Sequence, residues 1–490
     1  MEVHFQMKNK MKDVVCLTIV FLFSFRPNVL PQGFDHFLNY VNSLPDSNRA
    51  SVVDSFLLVT RLFPVIENDT VVHFIYCGSA GKVNVPGDMN GWQPKASPMT
   101  HVGGTNMWYL TQSYPRDARL EYKYIINDTN WILDPLNPHQ AIEGLGPNSE
   151  LRMPGYVSPP EIEYYSDIPH GSVVDTMWHS TNLSNSRKIV IYLPHGYGTS
   201  SDSFPAVYFQ DGAEAISLEK AENVMDYLAF HKIIPPVIAV FVPFVNRAPE
   251  YAGKDVEAYM KFFVEELVPF VDSNYRTVRK PQGRAVIGAS FGGNISLRLG
   301  STYPDIFGNV GAQSSYVDSV NSLRFRSGSK LGLKIYLDLG TYDIPYLIPM
   351  VHDFVRVMEA RGYDYEFHEY HEGHSWGSWR AHLGNELKFF HGIKTGMIEN
   401  YLDSGRTCTL EQPGPFKPSG KVVFSLTKAQ KVSVTLFNAN GKEVRSLFSG
   451  SLSAGDHVIQ FSKEELQRGV YFYRVQTEDG NFTKKLIIVK

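Results

Sequence analysis

Cysteine is scarce in this chain of 490 residues: three occur, Cys16, Cys77 and Cys408, far apart. That scarcity argues against a disulfide framework and a cysteine-rich metal site, so cofactor-free and metal-free chemistry is expected. Charge imbalance is missing too. With 46 basic and 50 acidic residues the formal net charge is −4, and neither nucleic acid nor an anionic membrane is an expected partner. The apolar run Val14 to Phe25, after Lys8, Lys10 and Lys12, is too short to cross a bilayer comfortably. It reads as an export signal over residues 1–33, although no small-x-small cleavage site precedes Pro31-Gln32-Gly33. No integral span is expected once it is removed. Tryptophan, finally, is absent beyond Trp379, which leaves the C-terminal part without an indole on which to stack a sugar. The remaining composition, 43% hydrophobic and 20% charged, is ordinary globular material, long enough for about three domains.

What is present begins with Gly288-Ala289-Ser290-Phe291-Gly292-Gly293. The apolar run Arg284 to Ile287 precedes it and a helix-period segment, Asn294 to Leu299, follows. A strand, a Gly-x-Ser-x-Gly turn and a helix make a nucleophile elbow. Small flanking residues let the two backbones approach, and the serine hydroxyl is pushed into the open. Ser290 is the expected nucleophile.

A serine hydroxyl needs a base to remove its proton, and the base needs a carboxylate to fix its tautomer. Both follow in order. Leu333 to Leu339 reads as a strand running into Gly340-Thr341-Tyr342-Asp343, and Tyr365 to Tyr370 as one opening into His371-Glu372-Gly373-His374-Ser375-Trp376. Parallel α/β sheets carry their chemistry beyond the carboxyl ends of strands, where Ser290, Asp343 and His374 all fall. Asp338 competes for the acid but lies within its strand. His368 and His371 compete for the base, but His374 follows a glycine in a loop.

From about Tyr165 to Lys394 the chain resembles the esterase family of α/β-hydrolases that includes enterochelin esterases and the feruloyl and acetyl xylan esterases. The matching pieces are Val190 to Pro194, Ala206 to Gly212, Val237 to Val242 with Asn246 to Tyr251, the elbow, Gly340 to Asp343 and Glu372 to Arg380. The resemblance implies a secreted or surface serine esterase acting through an acyl-enzyme on a small-molecule or polysaccharide-linked ester. It implies an oxyanion hole from the Phe291 N–H and that of Gly212 or Ala213, each donor worth roughly 3 kcal/mol. His195-Gly196 imitates another esterase motif but closes an earlier strand. Asp211-Gly212 stands where most of the family has His-Gly, a departure shared by enterochelin-type members. Arg247, Glu250 and Trp376 are candidate substrate contacts. The alternative is a non-catalytic surface glycan-binding protein on the same fold.

The flanks read as β structure. Residues 34–66 are expected to be helical, 67–155 a β-sandwich, 156–164 a linker, 165–398 the α/β-hydrolase, 399–419 a second linker and 420–490 a C-terminal Ig-like sandwich. In the first sandwich Gly87 to Trp92, Tyr122-Lys123-Tyr124, Asn130-Trp131 and Asp134 to Pro138 resemble glycogen-binding modules. That resemblance assigns Trp92, Lys123 and Trp131 to a glycan, with a packing role as the plainer alternative. The last segment resembles the sorting domain of the type IX secretion system of Bacteroidetes, through its Pro-Gly-Pro-Phe-Lys-Pro linker, Phe437 to Val444, Gly469 to Val475 and Lys484 to Lys490. It implies the type IX secretion machinery as partner.

Overall fold

A computed structural model describes residues 33–393 and, with short gaps, 419–488. Almost all of the expected export signal and of the linker 399–419 lies outside the described residues. The chain divides into two compact units, one ending at Ile393 and the other beginning at Lys394.

The first unit is organised by an eight-stranded mixed sheet. Its strands run in the spatial order Ser172–Ser180, Asn185–Leu193, Ile238–Phe241, Ala206–Phe209, Arg284–Ala289, Asn309–Gln313, Lys334–Tyr342 and Asp364–Gly373. The first two are antiparallel additions. All six others pair in parallel. A parallel strand in the middle of such a sheet is buried on both faces, which is why Ala285, Val286 and Ile287 are consecutive apolar residues. Val286 packs with Ile295, Leu297 and Leu299 on one face, whereas Ala285 and Ile287 pack with Leu383 and Leu387 on the other. Each such valine or isoleucine contributes roughly 1.5–3 kcal/mol by leaving water.

Ahead of the sheet, helices Phe34–Ser43 and Asp46–Val59 pack Phe34, Phe37 and Phe56 together over Ile75 and Met107. A β-rich region follows, of a four-stranded and two three-stranded sheets spanning Val65 to Arg152. Its centre is polar as well as apolar. Tyr122 and Tyr124 both donate to Asp134 Oδ2, at 2.7 and 2.9 Å, and Asn137 donates to the Tyr122 hydroxyl, so the Tyr-x-Tyr and Asp-Pro-x-Asn pieces are one buried network.

The second unit is β-rich throughout. Ser419–Leu426 pairs with Gly455–Ser462, and Gln430–Asn438 lies between Glu443–Leu452 and Gly469–Thr477, the last also pairing Gly480–Ile488. Val432, Val434 and Leu436 alternate inward against Tyr471, Tyr473 and Val475, the period-two pattern of a half-buried strand.

Candidate active site

The parallel strands deliver their loops to one edge. Ser290 follows Ala289 at a sheet centre and takes φ 57° and ψ −117°, a conformation costing a non-glycine residue about 1–3 kcal/mol. Neighbours hold it there. Its N–H donates to Gln313 O (2.9 Å), and its carbonyl accepts from Asn294 N–H and Tyr316 N–H, both at 3.2 Å. A Cβ on Gly288 would stand 2.8 Å from Gln210 Cβ, so glycine is what lets the turn close.

Asp343 is buried just past the strand Lys334–Tyr342, and its Oδ1 accepts from its neighbour Ile344 N–H (2.6 Å) and pairs with His374 Nδ1 (2.8 Å). A carboxylate at Nδ1 keeps the proton there and leaves Nε2 as a base. The imidazole, 19% exposed, meets Trp379 edge-on at 5.0 Å. Among the described residues no hydrogen bond joins Nε2 to Ser290 Oγ, a contact that often tightens only with substrate in place. The rival groups are engaged elsewhere. Asp338 accepts from Gln313 Nε2 and Ser314 N–H, and burial pushes its carboxyl up to about 6. His368 pairs with Glu366 and His371 with Asp117.

Two expectations need correction. Gly212 N–H is spent on Val242 O at 3.0 Å, because it continues the main-chain bonding at the end of its strand, so it is no oxyanion donor. Ala213 and Phe291, each in the first turn of a helix, are the N–H groups left over. Glu250 is no substrate contact either. It is buried, paired through both oxygens with Arg187 at 3.1 Å, and accepts from the N–H groups of Val245 and Asn246. Arg247 differs: its Nε and Nη2 donate to the two Asp211 oxygens at 2.7 Å, and Nη2 also reaches Ala289 O at 3.2 Å. It therefore ties the residue ahead of Gly212-Ala213 to the residue ahead of Ser290, while 29% of its side chain stays open to solvent. Asp211 itself sits at φ 51°, burial raising its carboxyl against the pull of Arg247. His195 is exposed in its early loop.

A cavity of about 420 Å³ opens beside the imidazole. Trp92, Lys123 and Trp131 line it from the β-rich region, and His374, Trp376 and Trp379 from the α/β part. The tryptophans and lysine singled out for a glycan thus face the same space as the histidine. Trp131 is 43% exposed, whereas Trp92 is half-buried and its indole N–H donates to Asp88 Oδ1 at 2.9 Å. Carboxyls line the cavity as well: burial and the nearby Glu121 push Asp88 up to about 7 and Glu143 up to about 8.

The sequence model described as "Putative esterase" matches residues 180–390, and YjcH of Bacillus subtilis, itself uncharacterised, is 30% identical over 213 residues, 40% of this chain and 88% of that protein. The chain belongs to that esterase family. It is a carboxylic ester hydrolase. An endo-1,4-β-xylanase/feruloyl esterase of Xylanibacter ruminicola is 26% identical over 220 residues, 42% of this chain and 30% of its own length. In fold the esterase is similar to the enterobactin esterase of Shigella flexneri crystallised with enterobactin (TM-score 0.59, 21% identity, 69% of this chain and 97% of that one). That share exceeds what the α/β part and the C-terminal unit together supply, so the likeness extends into the region before Ser172. Residues 413–489 match the secretion system C-terminal sorting domain.

Sequence reasoning missed Arg119, Asp88 and Glu143, which pack against the His374 loop. Their signal was available: Gly373 and Gly377 bracket the loop, and charged residues alternate within Arg119-Leu120-Glu121-Tyr122.

Proposed function

We propose that the chain is a secreted serine esterase of the enterochelin and feruloyl type, with Ser290 as nucleophile, His374 as base and Asp343 as the carboxylate that orients it. The observation that carries the assignment is the 2.8 Å bond between His374 Nδ1 and Asp343 Oδ1, which supports this histidine and this acid over rivals that are otherwise occupied. Ser290 Oγ attacks the ester carbonyl while Nε2 takes its proton. Negative charge gathers on the carbonyl oxygen between the Phe291 and Ala213 N–H groups, a term of roughly 3 kcal/mol per donor. Collapse breaks the bond to the alcohol, which leaves with the proton from Nε2. Water then repeats the sequence on the acyl-serine, returning the acid and a free Ser290.

The cavity beside His374 supports an aromatic or sugar ring on the group bound there, because tryptophan faces with a lysine and carboxylates offer stacking plus hydrogen bonding. A catechol or hydroxycinnamoyl ester carried on a polyol fits both demands. The sorting segment supports export through the type IX machinery to the medium or the cell surface.

Hydrolysis of p-nitrophenyl acetate and methyl ferulate by the parent, and its loss by about 10⁴-fold or more in Ser290→Ala, tests the mechanism. Activity of Ser290→Ala within tenfold of the parent rejects the nucleophile. Comparison of enterobactin, feruloylated arabinoxylan and acetylated xylan decides the ester, and glycan binding with no turnover of any ester would return the non-catalytic reading.

A further inference from the structure

The loop that carries His374 is held from outside its own fold. Trp376 N–H and Gly377 N–H, at the first turn of the helix Trp376–His391, donate to the two oxygens of Glu143, at 2.9 and 3.0 Å. Glu143 closes a strand of the N-terminal β-rich region, so a carboxyl group from outside caps the helix that begins two residues after the imidazole. Two oxygens there satisfy two orphan donors, and those N–H groups pull the Glu143 carboxyl down against the burial and the Glu121 charge that raise it. Beside it, Arg119 Nη1 donates to Ser375 Oγ at 3.3 Å, while its other nitrogens bind Glu121 and Glu150. Asp88 presses on the loop from the same side. A Cβ on Gly373 would stand 2.1 Å from the Asp88 carboxyl carbon, and one on Gly377 1.9 Å from Arg119 Nη2. Every residue from Gly373 to Gly377 except His374 therefore contacts a charged group of the β-rich region or is shaped to let one approach.

Packing alone does not ask for this arrangement. Arg119 is fully buried between carboxylates, and buried ion pairs of that kind add little net stability over apolar residues of similar size. What they do supply is direction, because two-point bonds to main-chain N–H groups fix where a loop lies. An imidazole displaced by about 1 Å can lose a hundredfold in rate. We propose that the N-terminal β-rich region is a positioning part of the catalytic machinery, holding the His374 loop in register with Ser290 through Glu143 and Arg119. The proposal rests on the assignment of His374 as the base.

The test compares kcat and KM on p-nitrophenyl propionate for the full chain, Ser290→Ala, His374→Ala, Glu143→Gln and Glu143→Ala, with thermal unfolding recorded for each. Parent hydrolysis abolished by Ser290→Ala and by a matching His374→Ala establishes nucleophile and base independently; if either control fails, that assignment has failed, whatever Glu143 does. With both controls in place, Glu143→Gln should lower kcat about 10- to 100-fold with KM within threefold, since the amide can accept at only one oxygen. Glu143→Ala should lose at least as much and recover severalfold in added formate, which can enter from the cavity and restore two oxygens as acceptors of the two N–H groups. Should Glu143→Ala not fold, the isosteric glutamine variant decides alone. A kcat within threefold of the parent overturns the proposal. So does a rise in KM alone, which would make Glu143 a substrate contact. A loss that formate leaves untouched and that tracks a lowered unfolding temperature overturns it too, in favour of ordinary packing.

Discussion

The two loops that carry the proposed nucleophile and base are secured in opposite ways. Ser290 is held by its own sheet: Gln313, Asn294 and Tyr316 fix its backbone, and Arg247 with Asp211 braces the loop beside it. His374 lies at the sheet edge, where no further strand among the described residues braces it, and its loop takes Glu143 and Arg119 from the β-rich region instead. A central position supplies neighbours on both sides. An edge position must obtain them elsewhere, and a flanking region that supplies them ceases to be an optional attachment.

The contrast can be broken most severely on the histidine side. Asp343→Asn should lower kcat by about 10³- to 10⁴-fold, since an amide at Nδ1 favours the wrong tautomer, whereas Asp338→Asn should cost less than tenfold. Steady-state kinetics on p-nitrophenyl acetate decides, and the reverse ranking would move the acid to Asp338. On the serine side, Arg247→Ala should reduce kcat about 10- to 100-fold by releasing Asp211 and the turn before Ser290. Arg247→Lys should restore only part, because an ammonium cannot bind both Asp211 oxygens in parallel. An unchanged kcat in the alanine variant would show that the elbow needs no brace.

A smaller effect sharpens the view of the helix behind His374. Glu386 on that helix is buried with no hydrogen-bond partner for either oxygen among the described residues, and burial, with Asp338 and Glu219 near, raises its carboxyl well above the usual range, while Glu219 is pushed up to about 8. The folded chain therefore keeps protons that the unfolded chain releases near pH 4.5. Stability is fullest below that value and declines as pH rises toward 8. Glu386→Gln should raise the melting temperature by about 2–4 °C at pH 8, with a lesser gain at pH 5. An equal shift at both values would mean that the carboxyl does not titrate in this window. Truncation before Pro413 should do least, changing kcat and KM by less than twofold on small esters, as expected of a separately folded unit. In the native host the truncated chain should stay in the periplasm; its export at full-length levels would remove the sorting role.

Much of the centre is legible in the sequence because its signals are local. The run Ala285 to Ile287, the glycine turn and the helix after Ser290 are contiguous, and periodicity alone shows strand, elbow and helix. The short alternating strands beyond Ser419 are visible for the same reason. The errors arise where partners are distant. Glu250 sits close to Arg247 in sequence, on the same short helix, yet its charge is matched by Arg187 on the strand Asn185–Leu193, which no spacing reveals. The resemblance offers Gly212 equally with Ala213, and no local pattern shows that the Gly212 N–H is committed to Val242. Trp92, Lys123 and Trp131 resembled a site of their own, and only the fold sets them across a cavity from His374.

The separation along the chain between Arg119 and Ser375, 256 residues, and between Glu143 and Trp376, 233 residues, has a bearing on when the enzyme becomes active. Contacts between such remote positions form late, because a long loop must close before they return any energy. The serine's surroundings, from Asp211 to Tyr316, emerge from the ribosome and can assemble while the histidine is still unmade. If Glu143 and Arg119 position the imidazole, ester hydrolysis begins only after the last strand and helix of the sheet have been made and have docked on a region synthesised before them.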